Sequence, residues 1–191
     1  GAGSNRMNIY VVRQATQGLA NYIISQNGQE RGVVIAHDSR LMHDEFTDAT
    51  ALCLAANGIK TYVFKELRPV PMLSFAVRQL NTLAGIVITA SHNPKQWNAL
   101  KLLNERGEFL DDSEGKRVLA MAEDSDFSYP TIDNIGKVIL REDFNKRHIE
   151  QVLALPLVDV EAVRKRKFKV VVDAVNSIGG VVIPALLREL G

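Results

Sequence analysis

Gly85-Ile-Val-Ile-Thr89 is a short apolar run that passes directly into Ala90-Ser-His-Asn-Pro94, a small and polar turn. Continuous apolar character with β-branching over so few residues predicts a strand buried on both faces, central and parallel in its sheet. Working outward, Arg31-Gly-Val-Val-Ile-Ala-His37 has the same character, and Lys60–Phe64 is a shorter version of it. From Asp44 to Asn57 the apolar residues Phe46, Ala49, Leu52, Cys53 and Ala56 recur at helical spacing, and Asn57-Gly58 supplies the stop. Pro71 opens a second helix over Met72–Leu80. Strand, helix, strand, helix, strand is the rhythm of a layered α/β domain with right-handed crossovers. After the turn, Leu100–Leu103 and Glu108–Leu110 flank Asn-Glu-Arg-Gly as a hairpin, and Asp111-Asp-Ser-Glu114 opens a helix towards Glu123. The expected fold is a three-layer α/β/α domain with a mixed, mostly parallel sheet over residues 1–141.

The polar stretch Asp124-Ser-Asp-Phe-Ser-Tyr-Pro130 is the first loosening of the chain. Asp143–Leu155 reads as a helix that Pro156 helps to end. The charge run Arg164-Lys-Arg-Lys167 reads as a solvated turn before a strand at Phe168–Val172. Asp173-Ala-Val-Asn-Ser-Ile-Gly-Gly180 then leads into a helix to Leu190. One strand and one helix cannot bury a sheet on both faces. Residues 142–191 are therefore expected to be the first βα unit of a second, similar domain in a longer protein. No internal repeat of fixed period and no low-complexity tract occurs.

Composition narrows the function less than the pattern does. At 191 residues, 46% hydrophobic and 24% charged, the chain is ordinary globular material. Twenty-three basic against 22 acidic residues leave a net charge of +1, so neither nucleic acid nor an anionic membrane is expected as a partner. No apolar run approaches the roughly 18 residues of a membrane span. The N-terminus also lacks a signal pattern, and a cytoplasmic location is expected. The one cysteine, Cys53, excludes an intramolecular disulfide and a Cys-based zinc site, and reads as a core thiol on the apolar stripe of its helix.

The chemistry points to Thr89-Ala-Ser-His-Asn-Pro94, just beyond the carboxyl end of a strand, where open α/β sheets bind ligands. Asn93-Pro94 starts a turn, and the small Ala90 lets the backbone approach a ligand closely. A serine placed there can present its hydroxyl among backbone N–H groups, which suits a phosphate. A plain polar strand-to-loop turn is the other reading of the same spacing. Arg40 with Asp38 either closes a strand end as a structural ion pair or orients the serine loop. Trp97 either stacks on a sugar or anchors the loop. Asp111, Asp112 and Glu114 fit a helix N-cap with an acidic first turn rather than a metal cluster. His37, His43 and His148 show no ligand spacing and read as strand-end or surface residues.

Thr89-Ala-Ser-His-Asn-Pro94, followed by Asn98-Ala-Leu-Lys101, resembles the active-site loop of the α-D-phosphohexomutases, the phosphoglucomutase/phosphomannomutase family. Val34-Ile-Ala-His-Asp-Ser-Arg40 resembles that family's strand ending in Asp-x-Arg, and Pro69-Val-Pro71 its Pro-Thr-Pro turn. Val170-Val-Val-Asp-Ala-Val-Asn176 is similar to the opening of its second domain. Gly1-Ala-Gly-Ser-Asn-Arg-Met-Asn8 is similar to the segment after its Gly-(Ile/Leu/Met)-Arg-Gly strand in one bacterial branch. Ala99 stands where many members have Gly. The resemblance implies a domain I over residues 1–141 that carries the phosphoserine loop, and the beginning of domain II over 142–191.

Residue by residue, the resemblance makes Ser91 the holder of the transferable phosphoryl group, whose phosphorylated oxygen also helps bind Mg2+. Lys101 resembles the lysine that assists proton transfer at the sugar hydroxyl, and His92 the histidine that helps position the substrate. Arg40, Asn93 and Asn98 are implied to bind substrate or orient the loop. The implied activity is magnesium-dependent interconversion of hexose 1- and 6-phosphates, of glucose or mannose, through a bisphosphate intermediate. A pentose or amino-sugar mutase and a non-catalytic sugar-phosphate-binding domain are the alternatives. The family's Asp-x-Asp-x-Asp metal loop does not occur in the 191 residues. The remaining metal ligands are therefore expected outside this chain, and the chain alone is expected to be inactive.

Overall fold

The computed structural model describes residues 3–124 and 129–191, in two compact units that divide between Arg141 and Glu142. Much of the polar stretch 124–130 lies outside the described residues. The first unit is built on five strands: β1 (Val33–His37), β2 (Thr61–Phe64), β3 (Ala84–Ile88), β4 (Leu100–Leu103) and β5 (Val138–Arg141). Their order in the sheet is β4-β3-β1-β2-β5. All neighbours run parallel except β4, which returns antiparallel to β3. Among the described residues four α-helices accompany them: α1 (Ile9–Ser25), α2 (His43–Ala56), α3 (Val70–Leu80) and α4 (Asp112–Glu123).

Strand alternation sorts the two faces of the sheet. Val33, Ile35, Ala84, Ile86 and Ile88 join Val12, Leu19, Ile23, Phe46 and Leu54 in one buried cluster, which fixes α1 and α2 on that side. Gly85, whose side is the other one, has no Cβ because Val77 and Leu73 of α3 occupy the space. α4 packs on α1, where a Cβ on Gly18 would lie 2.6 Å from Ala122 Cβ. The architecture is therefore α/β with helices on both faces of a mostly parallel sheet. Asp111 caps α4 with Glu114 in a reciprocal capping box, so those acidic residues are capping groups.

Three differences from the sequence reading have physical causes. β3 lies one strand in from the edge and is parallel only to β1, because the chain after Pro94 comes straight back without a crossover helix. β1 is the middle strand. α1 and β5 had no counterpart in the sequence reading. α1 shows its stripe in Val12, Thr16, Leu19, Ala20 and Ile23, whereas the four residues of β5 are too few to declare a period. Cys53 is half-buried rather than a core thiol, on the flank of α2 that faces α1, with Sγ 3.6 Å from the Arg13 carbonyl.

The second unit holds α5 (Phe144–Leu153), α6 (Val160–Arg166) and α7 (Gly179–Leu190). The basic run is not a turn before a strand. Arg164, Lys165 and Arg166 form the last turn of α6, where cations favour the helix dipole, and Lys167 ends it in a left-handed conformation. The strand expected at Phe168–Val172 is absent from the described residues. No neighbour offers it a ladder, and Val171 is 92% exposed.

Candidate active site

β3 ends at Ile88, and the chain turns outward through residues 89–99 before re-entering as β4. Ser91 makes the bend at φ 58, a left-handed conformation that costs a non-glycine residue about 1–2 kcal/mol. Local bonds offset that cost. The Ser91 N–H donates to Thr89 Oγ1 at 3.1 Å, and Asn93 donates to the Ala90 carbonyl through both its N–H (3.1 Å) and its Nδ2 (2.8 Å). Ser91 and His92 are exposed, with Ser91 Oγ 3.3 Å from His92 Nδ1.

Arg40 holds this loop from below, and it is buried. Its Nη1 donates to the carbonyls of Asn93 (2.8 Å), Pro94 (2.7 Å) and Trp97 (3.2 Å), and its Nη2 to that of Ser91. Nε donates to Asp38 Oδ2 at 3.1 Å, and Asp38 also accepts from the Thr89 hydroxyl. Both readings of the Asp38–Arg40 pair are thus present in one network: it closes the end of β1 and holds the serine loop. The planar peptide turns each N–H away from its own carbonyl. With the Ser91 carbonyl on Arg40, the His92 N–H points to the opposite side.

Asn98 is buried at the loop exit, donating Nδ2 to the Leu41 carbonyl at 3.1 Å and accepting the Ala99 N–H at 3.1 Å. The Thr89 N–H donates to the Ala99 carbonyl at 3.0 Å and closes the mouth of the loop. Trp97 is tied by its backbone, donating to Pro94 and accepting from Arg40. Lys101 stands on β4 opposite Val87, with Nζ 5.8 Å from the Phe109 ring centroid. Among the described residues no hydrogen bond or ion pair joins Lys101 to Ser91 or His92. The structure therefore gathers Ser91, His92, Asn93, Asn98 and Arg40 into one loop network and leaves Lys101 on the adjoining strand. Phe109 is a contact that the spacing of the motif does not reveal.

His37 stands at a strand end, as its sequence reading expects, but it is buried. His37 and His43, at the end of β1 and the start of α2, stack with ring centroids 4.8 Å apart. Burial, with the His43 ring beside it, pushes the His37 imidazole below the ordinary histidine range, against backbone hydrogen bonding from Asp38 and Phe64. Six positions of sequence separate the two rings, and only the return of the loop between them brings them together. As for Mg2+, Asp38 is committed to Arg40 and Thr89. Among the described residues, no cluster of three His, Cys, Asp or Glu ligands includes a residue of the serine loop, so the described residues alone do not assemble the oxygen set that Mg2+ prefers.

The match to known proteins covers the same elements. The family model described as phosphoglucomutase/phosphomannomutase, alpha/beta/alpha domain I, matches residues 1–129. The chain belongs to the phosphoglucomutase/phosphomannomutase family. It is 35% identical over 170 residues to a phosphoglucomutase/phosphomannomutase of Thermococcus kodakarensis, covering 88% of this chain and 36% of that one. It is 44% identical over 104 residues to a Schizosaccharomyces pombe protein named as a candidate phosphoribomutase, covering 53% of this chain and 18% of that one. The crystal structure of a Thermus thermophilus protein named as a candidate phosphomannomutase superimposes with a TM-score of 0.84 at 26% identity. That match covers all of this chain and 41% of the other. The chain spans 19%, 26% and 36% of the length of three curated relatives it matches. Among the described residues no helix is long and apolar enough to cross a membrane.

Proposed function

We propose that this chain is the phosphoserine-bearing part of a phosphohexomutase that interconverts the 1- and 6-phosphates of a hexose, glucose or mannose. The observation that carries the reading is the Ser91 hydroxyl, exposed at the tip of a loop whose carbonyls converge on one buried arginine. A phosphoryl group on Ser91 brings a charge of about −1.5 to −2 at neutral pH. The outward-facing His92 N–H and the His92 ring are the donors next to it. In the forward step the Ser91 Oγ–P bond breaks as a sugar hydroxyl oxygen bonds to phosphorus, giving a sugar bisphosphate. The hydroxyl proton leaves with the assistance of Lys101, and the departing Ser91 oxygen takes up a proton to become the free hydroxyl. The bisphosphate then returns its other phosphoryl group to the Ser91 oxygen.

Phosphoryl transfer is catalysed mainly by positioning and charge neutralisation. Mg2+, the metal implied by the family resemblance, supplies the charge neutralisation when bound, with carboxylates from outside these residues. The second unit is read as the opening of the second domain, and the chain alone as inactive in mutase turnover. Similarity of comparable strength to a protein named for a pentose activity supports a phosphopentomutase as the second reading. The test is Ser91→Ala in the complete enzyme. Turnover should be abolished on glucose 1-phosphate, mannose 1-phosphate and ribose 1-phosphate alike, and the best wild-type substrate identifies the sugar. A coupled assay of the 191-residue chain should show none. Turnover of about 1–10³ s⁻¹ from the chain alone would contradict the reading.

A further inference from the structure

Phe109 is a large apolar side chain left 55% exposed, yet its backbone is held firmly. It lies opposite Leu103 in an isolated antiparallel bridge. The Asn104 N–H donates to the Glu108 carbonyl at 2.8 Å on one side of that bridge, and the Leu110 N–H to the Leu102 carbonyl at 3.1 Å on the other. Flanking bonds of this kind mark a non-hydrogen-bonded pair, the class in which facing side chains come closest. The turn between the two residues is also fixed. Asn104 Oδ1 accepts from the N–H groups of Arg106 (3.1 Å) and Glu108 (3.2 Å), and a Cβ on Gly107 would lie 2.6 Å from Ser74 Oγ of α3. Lys101 stands two residues before Leu103 on the same face of β4, which makes it the diagonal neighbour of Phe109. Its Nζ is 5.8 Å from the ring centroid, within the roughly 6 Å reach of a cation–π contact.

Lys101 has no other tether. Among the described residues its side chain makes no ion pair and no hydrogen bond, and Phe109 is the ring it meets. The next residue along the returning segment that could face it, Asp111, is committed to capping α4. Its Oδ1 accepts from the Glu114 N–H at 2.8 Å and the Ser113 hydroxyl at 2.9 Å. A lysine side chain explores many rotamers, and only those that bring it to the reacting hydroxyl serve proton transfer. We infer that Phe109 is a positioning residue for Lys101, its ring face holding the ammonium group where it assists departure of the sugar hydroxyl proton. The inference rests on the mutase reading of the serine loop, in which Lys101 has that role. An aromatic face suits the task. It attracts a cation through its quadrupole and, unlike a carboxylate, does not neutralise it.

The test is a cycle of variants in the complete enzyme, with kcat, KM and melting temperature measured for each. Phe109→Leu keeps an apolar side chain but removes the ring. It should lower kcat by about two- to fivefold, the size of an exposed cation–π contact, with KM and melting temperature unchanged. Phe109→Tyr keeps the ring and should retain wild-type kcat. In the Lys101→Ala background Phe109→Leu should cost nothing further, because the group it positions is gone. A loss that persists in that background, or an equal loss in Phe109→Tyr and Phe109→Leu, overturns the inference. So does wild-type kcat in Phe109→Leu while Lys101→Ala is impaired, an outcome that leaves the mutase reading intact. Unimpaired Lys101→Ala removes the role of Lys101 and this inference with it. Failure of the mutase reading itself would show instead as turnover that survives Ser91→Ala.

Discussion

Val33-Val-Ile-Ala-His37 and Lys169-Val-Val-Val-Asp173 are nearly the same message written twice, yet the molecule treats them differently. The first is β1, paired on both edges and buried along its whole length. The second forms no strand, and Val171 stands 92% exposed. Local preference is equal in the two segments, so the difference lies in what surrounds them. A strand is complete only when ladders take its backbone groups and helices take its faces. Residues up to 141 supply both for β1. The described residues of the second unit supply neither for 169–173.

The comparison can be broken by mutation. The largest loss should come from Arg40→Ala, which leaves Asp38 and four loop carbonyls without their shared donor. Removing one partner of a buried pair costs about 3–5 kcal/mol. Denaturant unfolding should show that loss, and hydrogen exchange should show the serine loop opening before the sheet. Ile35→Ala in β1 should cost about 2–5 kcal/mol, while Val171→Ala should fall within about 0.5 kcal/mol of zero. Equal penalties at the two sites would mean that the second segment is packed after all, and would end the contrast.

Two further variants sharpen the picture inside the first unit. Lys101→Ala should lower turnover of the complete enzyme by about 10²-fold with little change in melting temperature. Unchanged turnover would leave Lys101 as no more than a partner of Phe109. The smallest effect is expected at Cys53. Burial pushes its thiol up to about 11, so at neutral pH it is a poor nucleophile. Iodoacetamide should modify it far more slowly in the folded chain than in urea. Fast alkylation of the folded chain would show that the flank between α1 and α2 is open.

The same contrast explains how much of the molecule is legible in its sequence. The three β-branched apolar runs, the stop at Asn57-Gly58 and the capping box at Asp111 are local signals, and each element forms within a residue or two of its expected bounds. The antiparallel return of β4, the absence of a strand at 168–172 and the stacking of His37 on His43 are matters of spatial partnership. No window of sequence records them. The serine loop falls between the two. Its motif marks Ser91 and its neighbours, but only the folded chain places four loop carbonyls on Arg40 and leaves Lys101 beside Phe109.

Everything proposed for the serine loop depends on Ser91 carrying the phosphoryl group. Peptide mapping by mass spectrometry of the complete enzyme, purified without phosphatase treatment, tests it most directly. A fraction of molecules should be phosphorylated on the peptide holding Ser91, with the phosphate lost on incubation with excess hexose monophosphate and restored by hexose bisphosphate. Phosphate found instead on Ser113 or Ser177, with Ser91 unmodified throughout turnover, would contradict it.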